Sequence, residues 1–229
     1  NRLNWEVVAR STDGDITNGA TFQLHVGEIT LTKTFRLNRL SDDEVNQITT
    51  GTDPASLVDQ RPEAYQLDFS LTLKNDGPET TTLGYRLQGP VGVPLEDLDN
   101  SRYASSIKWA SRNGSLVEVV DAIASSEVAE AEDENERQQQ PGETWHYVGV
   151  DVQYFAALLF PSPDQVQESL DTTPRGYLAR AEPQLIFRHS AATKYVQISV
   201  ALSSHDIELA PGETLTHNYM LYTGPKRPQ

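Results

Sequence analysis

The chain has 229 residues, with 33 acidic against 18 basic side chains and a formal charge of −15. A surface so acidic argues against nucleic acid and anionic lipid headgroups as partners, because both are recognised through clusters of Lys and Arg. With no cysteine there is no disulfide framework, thiolate nucleophile or Cys-based zinc site, yet a chain of this length buries ~70% of its unfolded surface, enough for one substantial core.

Short strands are expected at Trp5–Val8 and Thr21–Val26, around a turn-rich stretch from Ser11 to Gly19. Residues 29–37 then alternate, so Ile29, Leu31, Phe35 and Leu37 point to a core. Lys33 interrupts that series; a lysine there either snorkels at an edge or meets a buried acceptor. Residues 41–63 are polar and rich in breakers, a long loop with room for one helical turn. From Tyr65 to Asn75 the alternation is unbroken: Tyr65, Leu67, Phe69, Leu71 and Leu73 face inward, while Gln66, Asp68, Ser70, Thr72 and Lys74 face water. Asn75-Asp-Gly-Pro78 closes this strand and predicts a hairpin with the alternating segment Thr81–Leu87.

A short helix is expected at Leu95–Ser101. A second hairpin joins Tyr103–Ser111 to Ser115–Val120 across Asn113-Gly114, because Asn-Gly suits a turn whose central residues need positive φ. Residues 127–140 carry six acidic side chains and read as a mobile solvated loop or frayed helix, or else an acidic docking tail. Trp145–Val152 and Tyr154–Phe160 are the most apolar segments, expected centrally in a sheet and buried on both faces. Residues 162–182 read as loop with a helical turn at Gln165–Leu170. Leu185–Arg188, Tyr195–Leu202 and Thr214–Tyr222 complete the strands. Pro-Gly-Glu-Thr occurs at 141–144 and 211–214, each time before a strand, which one shared turn chemistry explains.

The sequence carries few catalytic patterns. The histidines, His25, His146, His189, His205 and His217, contain no pair at helical or strand metal spacing. There is no Gly-x-Ser-x-Gly elbow, and the pairs Ser105-Ser106, Ser125-Ser126 and Ser203-Ser204 sit in polar, turn-like surroundings. Neither a dinucleotide fingerprint nor a P-loop is present. The longest apolar run, Phe155–Phe160, is too short to span a bilayer, and with no initial Met the chain reads as a soluble piece of something larger.

One ordered set of motifs carries a resemblance. Ile29-Thr-Leu-Thr-Lys-Thr-Phe35 is followed by an alternating strand ending in Asn75-Asp76-Gly77. Then come Tyr154-Phe155-Ala156 running to Phe160-Pro161, Leu209-Ala-Pro-Gly-Glu213, Tyr219-Met-Leu-Tyr222 and Gly224-Pro225-Lys226. Over residues 20–226 this resembles the large periplasmic domain of the bacterial membrane protein insertases of the YidC family, in the Oxa1 superfamily. The loop at 41–63 departs from that family, which joins its two strands by a tight turn. The family's domain is longer at its N-terminus, which leaves the completeness of the first sheet open.

The strands alone predict an all-β antiparallel fold. The resemblance implies a β-supersandwich like that of galactose mutarotase, with short helices in the connections, over 1–229 as a single extracytoplasmic domain. It implies a place on the periplasmic face of the bacterial inner membrane, tethered by segments outside this chain. The implied work is insertion and folding of inner-membrane proteins, alone or with the Sec translocon, so the partners are translocon components and client proteins. No catalytic, cofactor-binding or metal-binding residue is expected, nor an enzyme. The alternatives are a sugar- or peptide-binding module using the concave sheet, or a mutarotase-like enzyme with a His acid and a Glu base. The nearest residues for those are Trp145-His146-Tyr147, where alternation puts His146 on the face opposite Trp145 and Tyr147, and His217-Asn218-Tyr219.

Overall fold

A computed structural model describes residues 4–37, 65–91, 105–113, 116–131, 140–141, 145–152, 154–162, 176–188 and 196–226. The strands are β1 (Glu6–Asp13), β2 (Ile16–Val26), β3 (Ile29–Leu37), β4 (Gln66–Asn75), β5 (Thr81–Leu83), β6 (Arg86–Gln88), β7 (Ser106–Asn113), β8 (Leu116–Ala124), β9 (Gln140–Pro141), β10 (Trp145–Asp151), β11 (Phe155–Pro161), β12 (Leu178–Arg188), β13 (Val196–Ser204), β14 (Ile207–Leu209) and β15 (Thr214–Pro225). One helix among the described residues, α1 (Ser125–Glu130), follows β8. The fold is therefore all-β and antiparallel, as the alternation predicts. The chain divides into two compact units, Asn1–Thr81 with Glu208–Gln229, and Thr82–Ile207.

In the first unit the strands run β1-β2-β3-β4-β15. The inward series of β4 holds from Phe69 onward: Phe69, Leu71 and Leu73 are buried, Leu73 fully so, whereas Tyr65 and Leu67 at its start are only half-buried. On β15, Leu215, His217, Tyr219 and Leu221 stand opposite Leu73, Leu71, Phe69 and Leu67 and continue that apolar face. Phe69 stacks on Phe35 of β3 at 4.8 Å and on Tyr219 at 5.4 Å between ring centroids. On the outer face Asp68 and Lys74 are exposed, but Gln66, Ser70 and Thr72 are only half-exposed. The expectation of full exposure fails because β4 has a neighbour on each side; Thr72, for one, shares a 2.8 Å hydroxyl hydrogen bond with Thr216.

That central position also overturns the hairpin between residues 65–75 and 81–87. Both edges of β4 are taken by β3 and β15, so β5 pairs with β14 and β6 with β13 instead. The sharp closure after β4 is real, and Asn75 organises it. Its fully buried side-chain amide donates to the carbonyls of Glu79 (2.7 Å) and Leu209 (3.0 Å), and its Oδ1 accepts from Gly77 N–H at 2.9 Å.

Near the N-terminus the turn is much tighter than the Ser11–Gly19 stretch suggests. Asp13 pairs with Ile16, so only Gly14 and Asp15 turn, and Gly14 takes φ 60°, which glycine adopts without a Cβ clash. On β3, Thr30 is buried although alternation points it outward, while Leu37 at the strand end is 53% exposed although alternation points it inward. Lys33 finds neither of the expected solutions: its ammonium lies 4.4 Å from the centre of the Trp5 ring, and burial lowers its pKa. Before β15, Pro211-Gly212 forms a tight turn with Gly212 at φ 74° and Glu213 N–H donating to Ala210 C=O at 3.0 Å. The matching residues 142–144 lie outside the described residues.

In the second unit β11-β10-β7-β8 form one sheet region and β6-β13-β12-β9 another. β13 packs against β7 and β10, and the core between them holds Ile107, Trp109, Val148, Val150, Ile198, Val200 and Leu202. From Val148 to Asp151 four consecutive residues are buried, so this part of β10 is covered on both faces as expected, whereas Tyr154 and Phe155 at the start of the second apolar segment are exposed. The β7–β8 hairpin forms, with Asn113 paired to Leu116 instead of sitting in the turn; residues 114–115 lie outside the described residues.

Two expected loops prove partly regular. Residues 127–130 belong to α1, because Val128 and Ala129 interrupt the acidic run and are buried. Residues 132–139 lie outside the described residues. β12 begins at Leu178, seven residues earlier than the apolar pattern of 185–188 indicates; a bulge between Leu178 and Arg180 and a buried Pro183 hide its alternation. The expected loop at 41–63, the helix at 95–101 and the helical turn at 165–170 also lie outside the described residues.

Candidate binding site

Half-exposed aromatic residues gather at the start of β10. Pairing with β7 places Trp145 opposite Ser111 and Tyr147 opposite Ala110, so His146 is an extra residue in a β-bulge. The bulge cancels the alternation that would put His146 and Tyr147 on opposite faces. Instead both rings meet Phe160 of β11, at 5.5 Å from His146 and 5.6 Å from Tyr147 between centroids. His146 and Tyr147 are themselves 5.9 Å apart. Trp145 turns the other way and is buried.

Charge stands beside these rings. Lys108 of β7 pairs with Gly149, one pleat along from Tyr147, and its ammonium makes a 2.7 Å ion pair with Asp151. Asp151 is largely buried and Lys108 partly exposed. Burial raises the pKa of the Tyr147 hydroxyl, while Lys108 pulls it down and Asp151 pushes it up, so all three side chains share one neighbourhood. Gly149 leaves the space among them without a side chain, for β11 passes so close that a Cβ would lie 2.1 Å from the Ala157 carbonyl oxygen. The three half-exposed rings offer stacking surfaces, and the ion pair offers one donor and one acceptor. That combination suits a sugar face or an extended peptide.

The other singled-out residues fall elsewhere. His217 lies on the apolar face of β15 opposite Leu71; it is 5% exposed, and burial pulls its pKa down to about 4. Tyr219 is buried in its stack on Phe69, and Asn218 faces the other side. His217-Asn218-Tyr219 is thus largely core. His25 is exposed and shares a 2.8 Å hydrogen bond with Thr30, whose hydroxyl donates to Asp76. Lys74 and Thr30 hold the Asp76 carboxyl below the ordinary carboxylate range. His205 lies in the link between β13 and β14, and His189 lies outside the described residues. Ser204 is inside β13, not in a turn, and its hydroxyl accepts from Tyr85 N–H at 3.0 Å. Among the described residues no three His, Cys, Asp or Glu side chains gather as metal ligands, and no helix is long and apolar enough to cross a membrane.

Sequence reading missed Phe160, Lys108 and Asp151 as members of this cluster. Phe160 was legible in principle, since two successive apolar strands pair and place it beside Tyr147. The bulge has no sequence signature of its own.

No protein-family model matches the chain, and neither does any curated protein. Solved structures do. A protein of Escherichia coli K12 provisionally named an aldose 1-epimerase superposes with a TM-score of 0.51 at 14% identity, over 97% of this chain and 69% of its own. A galactose mutarotase related enzyme from Lactobacillus acidophilus gives 0.52 at 9% identity, over 98% and 74%. A galactose mutarotase-like protein from Clostridium acetobutylicum gives 0.53 at 11% identity, over 97% and 67%. The fold is therefore that of the mutarotase-like β-sandwiches. The expectation that this chain is not an enzyme needs correction: the fold it adopts is one whose named members include epimerases and mutarotases, so exclusion of catalysis does not follow.

Proposed function

We propose that this chain is a mutarotase-like β-sandwich module that binds a sugar or an extended peptide at the β10 bulge. The observation that carries the reading is the gathering of His146, Tyr147 and Phe160 beside the Lys108–Asp151 pair. Stacking between an aromatic ring and a flat apolar ligand face is worth about 0.5–1.5 kcal/mol per contact beyond area burial, and two or three contacts yield measurable affinity. The test is a calorimetric screen of wild-type protein against monosaccharides, short glycans and unstructured peptides. Saturable binding by one class, lost in a Tyr147→Ala, Phe160→Ala double variant, is expected. Binding that the double variant retains would refute the site. Polarimetry on the same sugar mixtures then reports whether a bound aldose is also turned over.

A second layer concerns the parent protein, which we propose is an insertase of the YidC family, with this module on the periplasmic face of the inner membrane. What supports it is where the ordered motifs fall. Ile29–Phe35 forms most of β3, Asn75-Asp76-Gly77 is the buried closure of β4, Tyr154–Pro161 contains β11, and Leu209–Glu213 is the turn into β15. A mutarotase-like fold is also what that resemblance implies. Co-purification of the full-length protein with Sec translocon components and with nascent inner-membrane proteins tests this layer. A parent protein found only as a soluble species, without these partners, would exclude it.

A further inference from the structure

A second polar constellation lies on β6-β13-β12, apart from the β10 cluster. Register places Arg86 of β6 and Arg180 of β12 on either side of the same residue of β13, Ser203. Glu182, two residues along β12 and opposite Ala201, sits on the same face. Its two carboxylate oxygens are divided between the arginines: Oε2 accepts from Arg86 Nη2 and Oε1 from Arg180 Nε, each at 2.8 Å. β6 and β12 are not neighbours, so the Arg86–Glu182 pair spans about 9.5 Å of sheet, two strand spacings, by crossing over β13. This is possible because β13 presents only Ala201 and Ser203 beneath it.

Exposure differs sharply among the three charges. The Glu182 side chain is 12% exposed, whereas Arg86 and Arg180 are 48% and 53% exposed. Glu182 is the covered tether, and the guanidiniums it holds stand at the surface on the face that register also gives to Ser203. Each arginine spends one kind of N–H on Glu182 and carries others in the same plane, in the fork that matches a carboxylate or phosphate. Holding two long side chains in place in advance removes much of the rotamer entropy that a ligand would otherwise have to offset. The local charge is +1 on a chain whose formal total is −15.

We propose that Arg86 and Arg180, joined through Glu182 across β13, bind one oxyanionic group, a carboxylate or a phosphate, with Ser203 as a further donor. The site takes no part in the stacking cluster of β10, so either proposal can fail alone.

The test follows the side-chain Nε–H resonances of Arg86 and Arg180 by NMR while inorganic phosphate or acetate is added to the 229-residue protein, with chloride at matched ionic strength as control. A saturable shift of both resonances is expected. Saturation by phosphate alone points to a phosphoryl group, by acetate alone to a carboxylate, and by both to an oxyanion site that accepts either; each of these supports the proposal. Arg86→Gln should weaken the affinity about tenfold or more, because a charge-assisted hydrogen bond is lost. Arg86→Lys, which keeps the charge without the fork, should weaken it several-fold, and Ser203→Ala by a smaller factor. These sites are partly exposed, and an unchanged thermal midpoint verifies that each variant folds. Linear shifts, or the same response to chloride, would overturn the proposal and leave an ion-pair network that only staples three strands.

Discussion

β4 and β10 are both flanked on two sides by other strands, yet they use that position differently. β4 keeps strict alternation over ten residues, and its Phe69, Leu71 and Leu73 go to the core. β10 abandons alternation at His146, and there the rings and the ion pair come together on a half-exposed surface. Regular pleating divides side chains between core and water and leaves little room for anything else. One inserted residue redirects two rings without disturbing Val148 and Val150, which stay fully buried behind them.

The comparison can be broken most forcefully at Phe69. Phe69→Ala removes a ring stacked on both sides in a closed core and should cost about 3–5 kcal/mol in chemical unfolding. The half-exposed Phe160 leaves no comparable cavity, so Phe160→Ala should cost markedly less. Equal losses at the two positions would contradict the distinction between packing ring and surface ring.

A pH titration of stability probes the same core through His217. Its imidazole is held neutral in the fold, with a pKa of about 4 against 6.5 when unfolded. The unfolded chain therefore binds the proton more readily. The stabilisation is fully present above pH 6.5 and is lost as pH falls towards 4, amounting to about 3 kcal/mol across that window. In His217→Leu the slope of unfolding free energy against pH between 6.5 and 4 should flatten. An unchanged slope would show that His217 does not titrate as a core residue.

Asn75→Ala should cost about 1–3 kcal/mol, since it leaves the Glu79 and Leu209 carbonyls without their donor. Hydrogen exchange should then quicken at Gly77 and Gly212, whose N–H groups it anchors. The smallest expected effect is at Lys33→Met, about 0.5–1 kcal/mol from loss of the contact with Trp5, partly regained by burying an apolar chain there. A loss above 2 kcal/mol would mean that Lys33 has a stronger partner than the ring.

β3, β4 and β15 were legible because period two survives in them, and β10 and β11 because they are the most apolar segments; these five and β13 all lie within the expected segments or extend them by a few residues. Pairing was less legible. Asp-Gly-Pro after Asn75 marks a real chain reversal, but local turn chemistry cannot report that β15, about 140 residues away in sequence, already occupies the edge a hairpin would need. Pro183 and a bulge concealed the first half of β12. Of the candidate site, Tyr147 and His146 could be nominated as aromatic and imidazole groups, whereas their convergence depends on one unannounced residue of slip. His217 looked like a site residue because a lone histidine beside aromatics does not declare its depth; only register with Leu71 shows that it faces the core.

The most direct test of the central claim is calorimetric titration of wild type and Tyr147→Ala with whichever sugar or peptide the screen identifies. Removing one stacking ring should weaken binding by about tenfold, some 1.4 kcal/mol, while the thermal midpoint moves by no more than a few degrees. Undiminished affinity in a folded Tyr147→Ala protein would contradict a binding site built on the bulge of β10.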